Sequence, residues 1–352
     1  MRRYAELTEQ ALLSLGLNVE VHHLSPVQKG LWWLPGKLDT FYRYIVTFTN
    51  ARKAARRAGH DELFHLLDGG HGYALFALPH RLKTVCTVHD VMPTLKNRGL
   101  LPGGVKSRFK NPVLWLTWKG LMRADRLIAV SSNTRADMVR LGDDENRVSV
   151  VHNPLPDNFT KIAAAGEHRA WKDRIDQAPP YLFHISNNNY YKNRGMIIKV
   201  FDRLRAESDL CLKLAGNPPD KSVQTLIDES EYAHAIEFVP FPSEDELQDL
   251  YRGAAVFLFP SRYEGFGWPP LEAMALGCPV VAGDAPAVND VCAGGALFAP
   301  PDDVEALAGA CRKILFNEEI AEKQIRSGQR HAAAFTVERF AKQLQDVYGV
   351  IA

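Results

Sequence analysis

The sequence predicts an α/β protein made of two Rossmann-like, doubly wound domains, and three observations carry that expectation. Short apolar runs rich in branched residues alternate with segments of helical period along nearly all of the 352 residues. That length suits two domains of ordinary size, each with its own core. The alternation breaks at 153–179, between Asn153-Pro154-Leu155-Pro156 and Ala178-Pro179-Pro180, where prolines end regular structure as in a linker.

Taken in order, residues 2–15 (RRYAELTEQALLSL) read as an amphipathic helix closed by Gly16. A doubly wound domain normally opens on a strand, so the first domain is expected to lack its first strand and the loop after it. Strands are expected at 18–22, 63–67, 83–88, 126–130 and 147–151, then at 180–185, 210–215, 236–239, 255–259, 279–282 and 296–298. Helices are expected between them, for example at 106–122, 133–141, 194–207, 243–252 and 303–315. The domains are placed at 1–165 and 166–335, with a final helix over 336–352 packing back on the first.

The net charge of +1 offers no polyanionic partner, so nucleic acid is not expected. The charge is unevenly spread: residues 1–170 hold 24 Lys and Arg against 15 Asp and Glu, and residues 171–352 hold 18 against 26. The five cysteines form no C-x-x-C pair and no zinc spacing, and most lie in apolar runs, which fits a reducing compartment. No signal peptide opens the chain and no apolar run approaches a membrane span. The expected location is cytoplasmic, with peripheral contact on the inner face of the membrane left open.

Ligands of doubly wound folds bind beyond the carboxyl ends of the strands, so chemistry is sought in the loops there. The most informative segment is 255–282, AVFLFPSRYEGFGWPPLEAMALGCPVVA. A strand leads into a loop in which Gly265 and Gly267 allow close backbone approach to a ligand. Pro269-Pro270 then open a helix, whose unpaired N–H groups and positive end suit a pyrophosphate. Glu264 precedes the loop, and Glu272 is expected in the first turn of the helix. Two carboxylates flanking a phosphate cradle can accept hydrogen bonds from the hydroxyls of a sugar and a ribose.

This segment resembles the E-x7-E signature of the retaining GT-B glycosyltransferases of family 4, including its EGFG, PPLEAM and G-x-PVV surroundings. The resemblance implies a GT-B architecture, two domains facing across a cleft. It assigns Glu264 to the hydroxyls of the donor sugar and Glu272 to the nucleotide ribose. The amides of Phe266 and Gly267 would meet the sugar, and those near Leu271 the phosphates. Residues 181–201 are similar to the family's strand, loop and helix bearing a basic phosphate clamp, which assigns Lys192 to the departing diphosphate. The sequence departs from the pattern at Ser186, where an arginine commonly stands. Arg194, or Ser186 with Asn187, is expected to take that role, while Asn193 reads as a helix cap.

In the first half, Thr87-Val88-His89-Asp90 follows a strand and resembles the family's loop whose histidine reaches the donor sugar. His89, Lys192 and Glu264 are therefore the expected catalytic residues. Asp68-Gly69-Gly70-His71 also ends a strand, and Asp68, Gly70, His71 and Asp90 are placed on the acceptor side, although D-G-G is also ordinary turn chemistry. Segments 29–57 and 106–126 are basic and aromatic, holding Trp32, Trp33, Trp115 and Trp118. They read either as an anionic membrane contact, suited to a lipid-linked acceptor, or as buried tryptophans behind a solvated basic face.

The expected reaction moves a hexose from GDP-mannose or a UDP-hexose to a hydroxyl of a glycan or lipid-linked glycan in cell-surface polysaccharide synthesis. The resemblance implies retention of configuration, with no metal and no other cofactor. Two other readings stay open: a catalytically impaired nucleotide-sugar-binding scaffold, and another nucleotide-sugar enzyme such as an epimerase or phosphorylase.

Overall fold

A computed structural model describes residues 2–24, 36–59, 62–101, 111–176 and 179–351. The chain divides into two compact units: Met1–Asn153 with Val337–Ala352, and Pro154–Thr336.

The first unit opens on α1 (Arg2–Ser14) and α2 (Gly36–Arg57). Strand β1 (Leu63–Leu66) leads through a 3-10 segment, Gly69–Ala77, to β2 (Lys83–Val88). Then come α3 (Met92–Arg98), α4 (Pro112–Leu121), β3 (Arg126–Ala129), α5 (Ser132–Arg140) and β4 (Val148–Val150). The four strands are parallel and lie side by side in chain order. Val85, Cys86 and Val88 of β2 and Leu127, Ile128 and Ala129 of β3 have no exposed surface, which is why these two strands read as unbroken apolar runs.

The strand expected at 18–22 does not form. The alternation of Leu17, Val19 and Val21 gives the right period, but Leu17 and Val21 are exposed and no neighbouring strand pairs with the segment. Period alone does not make a strand without a partner edge or a face to bury.

The second unit holds α6 (Asp157–Ala165), α7 (Trp171–Asp176), β5 (Tyr181–Ser186), α8 (Arg194–Arg205), β6 (Cys211–Gly216), α9 (Lys221–Glu229) and β7 (Ile236–Pro240). It continues through α10 (Glu244–Gly253), β8 (Val256–Phe259), α11 (Trp268–Ala275), β9 (Val280–Gly283), α12 (Pro286–Cys292) and β10 (Ala296–Ala299). Helices α13 (Val304–Leu315) and α14 (Glu318–Ala332) close it, and α15 (Val337–Gly349) returns to pack on α1 in the first unit. The division at 153/154 precedes the expected 165/166 because α6 packs on α11 and α14 of the second unit.

All six strands of the second unit are parallel, in the order β10-β9-β8-β5-β6-β7. The chain builds outward from β5 to β7, returns to lay β8 on the other side of β5, and then builds to β10. The reversal leaves a switch point between β5 and β8, the place where doubly wound folds bind their ligands. Every residue of β8 and β9 is buried, and α8, α13 and the sheet share one apolar core around Ile197, Phe201, Leu258 and Leu307. Full burial of each such side chain is worth about 1.5–3 kcal/mol, which fixes the frame from which the loops hang.

Candidate active site

The loops after β5 and β8 meet at the switch point of the second unit. Lys192, in the loop after β5, donates from Nζ to both carboxylate oxygens of Glu264, in the loop after β8, at 2.7 and 2.9 Å. Glu264 is only 9% exposed. The Lys192 ammonium also lies 5.6 Å from the centre of the Phe259 ring and 5.4 Å from that of Tyr191, so two aromatic faces share its charge.

Other contacts lock the loops together. Arg262 N donates to Tyr191 O at 2.8 Å, and the Arg262 side chain reaches Asp302 at 2.6–2.7 Å and Tyr190 O at 3.0 Å. Asn193 donates from Nδ2 to Pro260 O at 3.2 Å and Pro301 O at 2.6 Å. Asn193 is thus not the side-chain cap that the sequence suggested. It has a left-handed backbone, φ 57°, and its amide ties the loops after β5, β8 and β10. The acid and the lysine are held by a preorganised frame.

Beyond Glu264 the loop turns through Gly267, whose φ of 109° is open to glycine and costly for other residues. Pro269 and Pro270 lie in the opening turn of α11, and Leu271 after them is fully buried. Phe266 is buried edge-on against Trp268 and Phe335, and Gly265 links it to Glu264. Glu272 sits one turn deeper than expected, since no acidic residue occupies the first turn of α11. It is 4% exposed and accepts a hydrogen bond from the Tyr251 hydroxyl at 3.3 Å. Sequence reasoning missed Tyr251, which reads as an ordinary apolar-face residue of α10.

The positions that depart from the family pattern resolve differently. His184 lies within β5 with no exposed surface, its Nδ1 2.8 Å from Leu258 O and its Nε2 2.7 Å from the Ser186 hydroxyl. A carbonyl only accepts, so Nδ1 carries the proton and Nε2 accepts from Ser186. Burial drives this histidine down to about 3, which keeps it neutral. The proton of Ser186 is therefore spent on His184, and a phosphate there would meet only oxygen lone pairs. Asn187 accepts from Asn189 N at 3.0 Å, and its own amide is exposed. Arg194 is buried and turned aside, donating to Asn188 Oδ1 and, at 2.9 Å, to Asn217 O. It braces the β5 loop against the β6 loop. Gly216, the last residue of β6, with φ 102°, brings its Cα so near Ser186 O that a Cβ would lie 2.5 Å from that oxygen.

In the first unit the expected residues gather at the carboxyl ends of β1 and β2. His89 donates from Nε2 to Leu67 O at 3.0 Å, and burial holds its pKa below the usual range although that carbonyl and Asp68 act the other way. Its ring meets the edge of Tyr4 at 4.6 Å. Asp68 accepts from Gly70 N at 2.8 Å and lies 3.3 Å from His71 Nδ1. Burial opposes its charge, but the His71 and Gly70 bonds outweigh that and hold the carboxyl below its ordinary range. Asp90 accepts from Met92 N at 3.0 Å at the start of α3.

Packing explains other glycines near Gly70: a Cβ on Gly69 would lie 3.0 Å from Val88, and one on Gly72 would lie 2.6 Å from Thr117 O of α4. A polar chain behind His89 was not legible in the sequence. Tyr4 and His65 both bond Thr87 Oγ1, at 3.0 and 2.8 Å, and His65 Nδ1 reaches the Tyr348 hydroxyl of α15 at 2.7 Å. Burial, with a smaller contribution from His89, lowers His65 to about 3.

Two units with parallel, helix-covered sheets, the second with an acid and a lysine paired at its switch point, define the class by fold: GT-B glycosyltransferases. Comparison with known proteins agrees. Residues 167–331 match the family model "Glycosyl transferases group 1", and residues 11–159 match "Glycosyltransferase Family 4". The chain belongs to the family-4 glycosyltransferases of GT-B architecture.

Among relatives, the O-antigen chain mannosyltransferase RfbU of Salmonella typhimurium is 25% identical over 240 residues, covering 66% of this chain and 65% of that protein. The D-inositol 3-phosphate glycosyltransferase of Salinispora tropica is 29% identical over 341 residues, 90% of this chain and 68% of that protein. Among solved structures, sucrose-phosphate synthase from Thermosynechococcus elongatus superposes with a TM-score of 0.79 at 19% identity, covering 98% of this chain and 92% of that one. Its likeness speaks for the fold.

Proposed function

We propose that this protein transfers a hexose, with retention of configuration, from a nucleotide-sugar donor to a hydroxyl of a glycan or lipid-linked glycan in cell-surface polysaccharide synthesis. The observation that carries the proposal is the Lys192–Glu264 pair at the β5/β8 switch point. Without donor, each charge satisfies the other. With donor bound, the ammonium turns to the diphosphate and neutralises the charge that builds as the glycosidic bond breaks. The freed Glu264 carboxylate accepts from hydroxyls of the sugar.

The amides of Phe266, Gly267 and Leu271 lie where the positive end of α11 suits the sugar and the phosphates. Glu272, oriented by Tyr251, takes the ribose hydroxyls. Asn187 offers its exposed amide to the phosphates. His89 serves as a neutral imidazole whose Nε2 proton is committed to Leu67, leaving Nδ1 to accept from the sugar. Asp68, Gly70, His71 and Asp90 belong to the acceptor side in this reading. The named activity of RfbU supports a mannosyl donor, so GDP-mannose is the first to try, followed by UDP-hexoses.

The reading needs no metal and no cofactor, because Lys192 and the helix amides supply the charge for the leaving group. Membrane contact belongs to it as well. Trp115 (60% exposed) and Leu116 lie on α4, and Tyr42 and Ile45 on α2, each exposed beside basic residues. Both helices pack on the 3-10 segment after β1.

The experiment is sugar transfer from labelled donor to lipid-linked or free glycan acceptors, with the product's anomeric configuration read by NMR. Lys192→Ala and Glu264→Ala should each lower turnover by about 10²–10³-fold, the usual cost of removing a charge-stabilising group. Turnover should survive a chelator. Near-normal rates in either variant would overturn the assignment, as would an inverted product.

A further inference from the structure

The amino ends of β5, β6 and β7 carry a feature that the transfer reaction does not use. A cavity of about 560 Å³ opens there, against the first residues of the three strands, Tyr181, Cys211 and Ile236. It lies at the opposite end of the sheet from Lys192 and Glu264, which follow the carboxyl ends of β5 and β8. Its volume falls in the range of small-molecule sites, roughly 300–1,000 Å³.

Cations outnumber carboxylates in its wall by three to two, with one histidine beside them. Arg169, Arg174, Lys213 and His234 line it, against Glu237 and Asp249. Lys213 is paired with Glu237 at 3.1 Å and also lies 4.7 Å over the Tyr181 ring, while Asp249 is paired with Arg252 at 3.3 Å. Arg169 and Arg174 have no carboxylate within ion-pair distance among the described residues. Arg174 is the unusual member, being 1% exposed. Its guanidinium donates to Arg169 O at 3.1 and 2.8 Å and to Ala254 O at 3.2 Å. Carbonyls satisfy its N–H groups but supply only partial negative charge, and a buried cation is normally balanced by an acid. Among the described residues no carboxylate pairs with it directly, and Glu322 acts on it only from beyond ion-pair distance, so its charge is incompletely balanced on the wall of an open cavity.

We propose that this cavity is a second ligand site, separate from the donor crevice, for a phosphate monoester on a hydroxylated body such as a hexose phosphate. The phosphate takes direct contacts from Arg169, Lys213 and His234, with Arg174 behind them as a fixed charge in the wall. The volume exceeds what one phosphate fills, and the Glu237 and Asp249 carboxylates are acceptors for the hydroxyls of the attached body. The apolar strand ends, Ile236 among them, line the remainder.

Calorimetric titration of the full chain with glucose 6-phosphate at low salt tests the proposal, with glucose and inorganic phosphate as parallel probes. Saturable binding of glucose 6-phosphate, weaker binding of phosphate and none of glucose are expected. A charge-assisted hydrogen bond is worth about 1.5–3 kcal/mol, so Arg169→Ala and Lys213→Ala should each weaken the affinity by about tenfold or more. Both side chains are partly exposed and removable without opening the core, and a thermal melt confirms that each variant is folded. Lys192→Ala should leave this affinity unchanged. Three results would each overturn the site: no saturable binding of glucose 6-phosphate, unchanged affinity in both cavity variants, or loss of binding in Lys192→Ala, which would place the phosphate in the donor crevice instead.

Discussion

Lys192 and Glu264 hold each other through two hydrogen bonds while both are largely withdrawn from water. Breaking a mostly buried pair from one side costs more than the pair is worth, because the remaining charge is stranded. Their residue types and loop positions were legible in the sequence. Their direct contact was not, because it depends on β8 lying beside β5. At Ser186, only the strand geometry shows that His184, two residues back, accepts from its hydroxyl.

His184 and His65 also yield a prediction at this scale, since both are neutral in the fold at about 3 and ordinary, near 6.5, when unfolded. Between those values the unfolded chain binds more protons, so stability falls as pH drops below the unfolded value. Urea unfolding between about pH 7 and pH 5, above most carboxylate titrations, should show stability falling by up to roughly 1.4 kcal/mol per pH unit for each of these two histidines, with His89 adding in the same direction. A flat profile over that window would contradict the buried, neutral assignment.

At the scale of elements, the second unit was the more legible because β8 and β9 are buried on both faces and spell continuous apolar runs. The helix starts were legible where caps or prolines mark them, as at Ser243 with Glu246 and at Pro269. Residues 18–22 misled because alternation specifies a strand only when an edge is available to pair. The aromatic helices divided. Trp118 is buried beneath Arg98, whereas Trp115 on the same helix is exposed. Trp32, Trp33 and the start of the 106–126 segment lie outside the described residues.

The exposed apolar residues of α2 and α4, with Arg52, Lys53, Arg56, Arg57 and Lys119 exposed on the same two helices, fit an anionic interface. Sedimentation with vesicles rich in anionic lipid should show binding at low salt that fades as salt screens the charges, and Trp115→Ser should weaken it. Absence of binding at every salt concentration would remove the membrane contact and leave the transfer chemistry untouched.

At the scale of the whole molecule, each unit makes a separate contribution. The second carries an ordered acid–lysine pair at a topological switch point, the place where doubly wound folds bind nucleotides. The first carries His89 on a buried polar chain reaching from α1 through Thr87 and His65 to Tyr348 of α15. That chain joins residues from both ends of the sequence, and no local motif announces it.

The central claim is that the second unit binds a nucleotide sugar through Lys192 and Glu264, and direct titration tests it without an acceptor. GDP-mannose, UDP-glucose and the two free diphosphates would be titrated into the full chain and into the Lys192→Ala and Glu264→Ala variants. One base should bind saturably, Lys192→Ala should weaken both its diphosphate and its sugar form by about tenfold or more, and Glu264→Ala should weaken mainly the sugar form. Equal binding in wild type and both variants, or no binding of any of the four compounds, would contradict the account.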